Sequence, residues 1–253
     1  MSLLLEARNV SKSYGVFRAL EDVNMAVHEN ELVSVVGPNG AGKTTLVNLF
    51  TGLLSPTSGE VLFMGNNIAG VGPVALADRG MARAFQLIQI FPKLTVAETI
   101  GAAVVSRQKK RWRLVARLSG DVQISTRVRE VAEIFGLSHR LNTVAASLSQ
   151  GEKKLLDVAS AFALDPQVIL FDEPTSGVST ADKHAIMKTL MAAAKLVGVK
   201  GIVLVEHDMD LVAAYSNRIV ALAGGRVLAD LPPDRFFSDP HLIDTVIGKR
   251  KGH

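Results

Sequence analysis

The chain has 253 residues, of which 48% are apolar, 5% aromatic and 21% charged, and none is cysteine. That is ample core for one large α/β domain or two small ones, and the missing cysteines exclude disulfides and thiolate metal sites and fit a reducing compartment. A net charge of +4 with a single tryptophan is only mildly basic and offers little stacking surface, so no nucleic-acid partner is expected.

In chain order, MSLLLEARN has no basic lead and its leucines stop at Glu6, so it does not read as a signal peptide. ELVSVVG (31–37) is a short β-rich run ending in glycine, and TTLVNLFTGL (44–53) reads as a helix. Between them GPNGAGKTT (37–45) places Gly37, Pro38, Asn39, Gly40, Ala41, Gly42, Lys43, Thr44 and Thr45 in the spacing of a phosphate-binding loop. The glycines let successive N–H groups turn inward on phosphate oxygens, Lys43 adds positive charge, and the Thr44 hydroxyl can ligate Mg²⁺. Kinase, GTPase and ATPase all use such a loop. The guanine-reading Asn-Lys-x-Asp and the switch Asp-x-x-Gly are absent from the chain, which removes the GTPase.

Gln86 in ARAFQ is a neutral amide that could touch Mg²⁺ or the attacking water. Residues 92–148 read mainly as helices; STRVREVAEIFGL (125–137), for example, carries Val128, Val131, Ile134 and Phe135 at helical spacing. The basic runs RQKKRWR (107–113) and GKRKGH (248–253) read either as solvated charge or as surface facing acidic headgroups or an acidic partner. In LSQGEKKLLDVAS (148–160), Ser149 and Glu152 have the spacing of a capping box, while Ser149 and Gly151 also suit a phosphate at a helix N-terminus.

QVILFDEP (167–174) is a buried strand ending in Asp172 and Glu173, carboxylates that could hold Mg²⁺ and polarise a water. ADKHAIMKTLMAAAKLVG (181–198) reads as a helix and GIVLVEHD (201–208) as a further strand, with His207 at its end. RIVALAGGRVLAD (218–230) resembles a hairpin about Gly224-Gly225. Strands alternating with helices argue for a largely parallel α/β sheet. No apolar run is long enough to span a bilayer; VASAFALDPQVILF (158–171) is broken by Asp165 and Pro166.

In their order these motifs resemble the nucleotide-binding subunit of an ATP-binding cassette (ABC) transporter, along nearly the whole chain. The resemblance implies a RecA-like P-loop NTPase core with an antiparallel β subdomain and an inserted α-helical subdomain. It divides a single domain into a core at 1–91 and 149–230, a helical subdomain at 92–148 and a C-terminal tail at 231–253. It makes Tyr14 in SKSYG the aromatic on adenine, 37–45 the Walker A loop that binds ATP, and Gln86 the Q-loop residue. It makes Ser149, Gln150, Gly151 and Glu152 the signature that meets a partner's ATP. Asp172 becomes a Mg²⁺ ligand, Glu173 the general base, 176–179 the D-loop and His207 the switch histidine.

Two departures from the family pattern stand out: Gln150 where glycine is usual, and Ser179 where aspartate is usual. The stretches at 80–100 and 205–248 look like branched-chain amino acid importers and their urea and amide relatives. That implies a cytoplasmic subunit, peripheral on the inner face of the cell membrane. Its partners would be a second cassette in a homo- or heterodimer, transmembrane permease subunits and, indirectly, a periplasmic or extracellular solute-binding protein. A lipopolysaccharide-export cassette and a soluble non-transport ABC ATPase are the alternatives.

Overall fold

A computed structural model describes residues 2–84, 91–107 and 121–247. In chain order the elements begin with β1 (Leu3–Tyr14), β2 (Phe17–His28), β3 (Glu31–Val36), α1 (Lys43–Phe50), β4 (Ser58–Phe63), β5 (Asn66–Asn67) and α2 (Pro73–Asp78). β6 (Met81–Ala84), α3 (Val96–Arg107), α4 (Val122–Ile134), α5 (Gln150–Phe162), β7 (Val168–Asp172) and α6 (Thr180–Val197) follow. β8 (Gly201–Val205), α7 (Met209–Tyr215), β9 (Arg218–Ala223), β10 (Arg226–Leu231), α8 (Pro233–Phe237) and α9 (Pro240–Ile247) complete the run. Two compact units result: Met1–Leu76 with Leu170–Glu173 and Lys200–His253, and Ala77–Ile169 with Pro174–Val199.

In the first unit β1 and β2 form a long antiparallel hairpin within a sheet of order β2-β1-β4-β5. Val23, Met25 and Val27 of β2 are buried in alternation, as expected for a sheet with one wet face. A second sheet runs β10-β9-β3-β8-β7, with β3 parallel to both β8 and β9 and β10 antiparallel at the edge. Every residue of Leu32–Val36 and Gly201–Val205 is buried, because the continuous apolar runs read from the sequence are covered on both faces. Arg218 ties the sheets together. Its guanidinium pairs with Asp230 on β10 at 2.7 Å and Glu31 on β3 at 3.1 Å, and donates to the Ala26 carbonyl of β2.

The second unit is mainly helical. α4 starts at Val122 because Asp121 caps it, accepting from the N–H groups of Gln123 and Ile124. Phe135 and Phe162 pack with ring centroids 5.3 Å apart. The ends of the helical segment are held together by N–H donation from Val96 to Thr143 O and from Ala145 to Leu94 O, at 3.0 and 2.8 Å. β6 begins beside the entry to β7, where the N–H groups of Gln167 and Val168 both donate to Gly80 O. Among the described residues, no helix is long and apolar enough to cross a membrane.

The C-terminal helices belong to the core of the first unit. Phe236 of α8 is fully buried in a cluster with Val36, Val212, Ile219, Ala221, Leu242 and Val246. Val36 is the last residue of β3, directly before the phosphate-binding loop. Phe236→Ala is therefore expected to cost about 3–5 kcal/mol, read as a lower midpoint in urea unfolding of the whole chain. A midpoint equal to the parent's would show that α8 contributes nothing to this core.

Candidate active site

The loop 37–42 leaves the end of β3 and enters α1. Two of its glycines are demanded by close approach. A Cβ on Gly37 (φ +151°) would stand 2.2 Å from Leu222 O on β9, and one on Gly42 (φ +102°) 2.6 Å from Leu20 Cδ2 and 2.7 Å from Ala19 O on β2. The loop is thus wedged against both sheets of the first unit. Helix α1 has no side-chain cap on Gly42 and no acid in its first turn, so no carboxylate of the helix's own first turn competes for the N–H groups that open it. Thr44 is exposed and Thr45 half-buried; Pro38 is half-buried, Asn39 and Gly40 are exposed and Ala41 is buried.

Lys43 is buried, and its ammonium donates to Gly37 O at 2.7 Å and Pro38 O at 3.0 Å. Burial pushes its pKa below the ordinary lysine value, against the opposing pull of Glu173 and Asp172. Those carboxylates close β7: Asp172 is buried, and Glu173 is the first residue beyond the strand. Glu173 has φ +52°, a left-handed conformation that costs a non-glycine residue about 1–3 kcal/mol and is held only where the surroundings demand it. Its N–H donates to Val205 O at 2.9 Å, and its Oε1 lies 2.7 Å from His207 Nε2. The structure therefore brings Lys43, Asp172, Glu173 and His207 into one unit, with a carboxylate and an imidazole in hydrogen-bond contact at the ends of neighbouring strands.

Sequence reading passed over Glu206, which lies beneath this pair. It is buried, and its carboxylate accepts from the N–H of His207 at 2.9 Å and of Asp208 at 3.4 Å, fixing the turn that presents the imidazole. The available signal was a carboxylate closing an apolar strand in GIVLVEHD. Tyr14 stands half exposed at the tip of the β1–β2 hairpin, cross-strand from Phe17 and with Lys12 Nζ 5.4 Å from its ring centroid. A little further along the same hairpin, Ala19 and Leu20 of β2 pack on Gly42. Gln86 lies outside the described residues.

Ser149, Gln150, Gly151 and Glu152 lie in the second unit, at the start of α5. The capping box is present: Ser149 Oγ accepts from the Glu152 N–H at 3.2 Å, and Glu152 Oε2 accepts from the Ser149 N–H at 2.8 Å. Arg140 Nε donates to Glu152 Oε1 at 2.8 Å. The Ser149 hydrogen bonds and then Arg140 hold the Glu152 carboxyl below the usual carboxylate range. Ser149, Gly151 and Leu155 border a groove of about 510 Å³, with Val178, Asp182 and Ile186 opposite. Ser179 caps α6: its Oγ donates to Asp182 Oδ2 at 2.6 Å and accepts from the Asp182 N–H at 3.3 Å.

Comparison with known proteins identifies the family. The ABC transporter family matches residues 20–176. The probable branched-chain amino acid transport ATP-binding protein LivG of Archaeoglobus fulgidus is 30% identical over 97% of this chain and 95% of its own length. The high-affinity branched-chain amino acid transport ATP-binding protein BraF of Pseudomonas aeruginosa is 30% identical over 97% and 98%. Among solved structures, the ADP conformation of an ATP-binding cassette of an ABC transporter matches with a TM-score of 0.85 at 27% identity, covering 98% of this chain and 100% of that one. A dimeric post-hydrolysis cassette bound to ADP and Pi matches with a TM-score of 0.77 at 26% identity, covering 91% and 99%. Such cassettes work as dimers with transmembrane permease partners. The chain belongs to the ABC transporter family and is its ATP-binding subunit, an ATPase.

Proposed function

We propose that this cassette powers the import of branched-chain amino acids, with Glu173 and His207 as its hydrolytic pair. The 2.7 Å contact between those two side chains, in the unit that also holds Lys43, supports the chemistry. Similarity to branched-chain amino acid transport proteins over nearly full length supports the substrate.

In this reading the N–H groups of 37–45 cradle the β- and γ-phosphates, with Lys43 supplying charge from the loop floor. Tyr14 stacks on adenine. Thr44 and Asp172 are hard oxygen donors suited to Mg²⁺ and, with Gln86, would hold that ion, which neutralises charge on the phosphate oxygens when bound. Glu173 accepts the proton of the water that adds to the γ-phosphorus as the bond to the β-phosphate oxygen breaks and ADP leaves. His207 orients the Glu173 carboxylate from one side, and Glu206 holds His207 in place. Ser149, Gln150, Gly151 and Glu152 face the nucleotide of a second cassette, an arrangement supported by the dimeric cassette to which the chain is similar. The pair docks on permease subunits at the inner face of the membrane, with a solute-binding protein beyond them.

Glu173→Gln should lower kcat roughly a thousandfold while ATP still binds, and His207→Ala should lower it about a hundredfold or more. Both are read in steady-state phosphate release alongside nucleotide titration. Kinetics of Glu173→Gln equal to the parent's would remove Glu173 from the role of base. The mass of Glu173→Gln in solution with ATP then identifies the partner. Doubling means that the chain pairs with itself, and an ATP-bound monomer means that a different second cassette is required.

The substrate is tested by uptake in cells lacking this chain. Labelled leucine, isoleucine and valine uptake should fall to background, return with the parent chain and stay absent with Glu173→Gln. Loss of urea or amide uptake instead, with leucine unaffected, would refute the amino-acid reading.

A further inference from the structure

One contact in the second unit is used by neither the nucleotide chemistry nor the capping of α5. Lys154 lies on α5 and is half-buried. A lysine on a helix surface ordinarily carries its ammonium to water. Here Nζ turns to the loop that follows β7, donating to Ser176 Oγ at 2.9 Å and to Pro174 O at 3.3 Å. Both of these acceptors are neutral, so each contact is a charge-assisted hydrogen bond that reaches from α5 across to the loop.

The far end of the same loop is also fixed, by Ser179 Oγ capping α6 through Asp182. Between those anchors, Gly177 and Val178 border the groove whose opposite wall is Ser149, Gly151 and Leu155. Separating the wall at 174–179 from the wall on α5 would break both Lys154 bonds.

We infer that Lys154 is a positioning residue that locks the loop 174–179 to the first turns of α5, so that the signature and the D-loop are presented to the second cassette as one surface. The last clause rests on the proposed function; the lock itself does not. Ser179, which departs from the family pattern, is then a cap that completes the same fixed loop. Pro174 follows Glu173 directly in the chain, so Lys154 also anchors the residue next to the proposed base.

Amide hydrogen exchange on the whole chain tests the lock, comparing peptides covering 148–156 and 174–183 with 37–50 as the internal reference. Lys154→Met keeps the aliphatic stem and removes the donors. It should speed exchange in 174–183 about tenfold, the scale of a charge-assisted hydrogen bond lost from a local opening, with 37–50 changed less than about twofold. Lys154→Arg should restore protection. Ser176→Ala leaves the Pro174 contact and cannot disturb the core, so it should speed exchange about threefold, and the double variant should be no faster than Lys154→Met alone. In the ATPase assay, Lys154→Met should lower kcat about tenfold and leave KM for ATP within about twofold, with Lys154→Arg recovering most of the loss.

Unchanged exchange at 174–183 in Lys154→Met, or parent-like exchange in Ser176→Ala, overturns the lock. A faster loop with unchanged kcat overturns the positioning role. If Glu173→Gln fails to reduce hydrolysis, the proposed function falls while the exchange result still decides the lock.

Discussion

Gly37 and Gly42 admit no side chain, and the site depends on that exclusion. Gly37 lets the end of β3 pass within contact of the β9 backbone, and Gly42 lets the start of α1 rest on β2. Any Cβ at either point would collide with a backbone carbonyl, which cannot move aside as a flexible side chain can. The loop between them is therefore held from two sheets of one unit. A backbone held at both ends in this way has little ordering entropy left to lose when a ligand binds.

The same crowding sets the charge balance. Lys43 is buried at the loop floor, where burial alone disfavours its ammonium. Its two carbonyl acceptors and the fields of Glu173 and Asp172 offset that cost. A triphosphate entering such a site would meet Lys43 and a helix N-terminus free of acids in its first turn. The carboxylates would repel it unless a cation lay between, which is the physical argument for the proposal that Thr44 and Asp172 would hold Mg²⁺. Glu173, at φ +52°, instead has its carboxylate in hydrogen-bond contact with His207.

Legibility in the sequence followed the range of the forces. The strand–loop–helix at 31–50, the strand closing in Asp172 and the capping box at 149–152 are local patterns, and each was readable from residues a few positions apart. The chain pattern of β1 and β2 was not read strand by strand. Register shifts at Ala7/Val10 and Val10/Lys12 interrupt the alternation that marks a one-sided sheet, so the antiparallel subdomain entered only through family resemblance. What required coordinates was contact across long separations: Leu222 O against Gly37, Phe236 beneath Val36, and Lys154 reaching Ser176. Glu206 was missed for a different reason. A carboxylate at the end of an apolar strand looks like any surface acid until its two N–H partners are seen.

The double reading of Ser149, as helix cap and as phosphate ligand, has a chemical resolution in the geometry. As a cap, Ser149 Oγ accepts the Glu152 N–H and keeps its own proton to donate. The obstacle to a phosphate is instead Glu152, a carboxylate in the first turn of the same helix. One oxygen of that carboxylate is taken by the Ser149 N–H and the other by Arg140, so this negative charge is paired with a cation. An anion approaching α5 thus meets a hydroxyl donor and a neutralised acid. For Ser149 and Glu152, then, the bonds that start the helix do not stand against the proposed contact with a nucleotide.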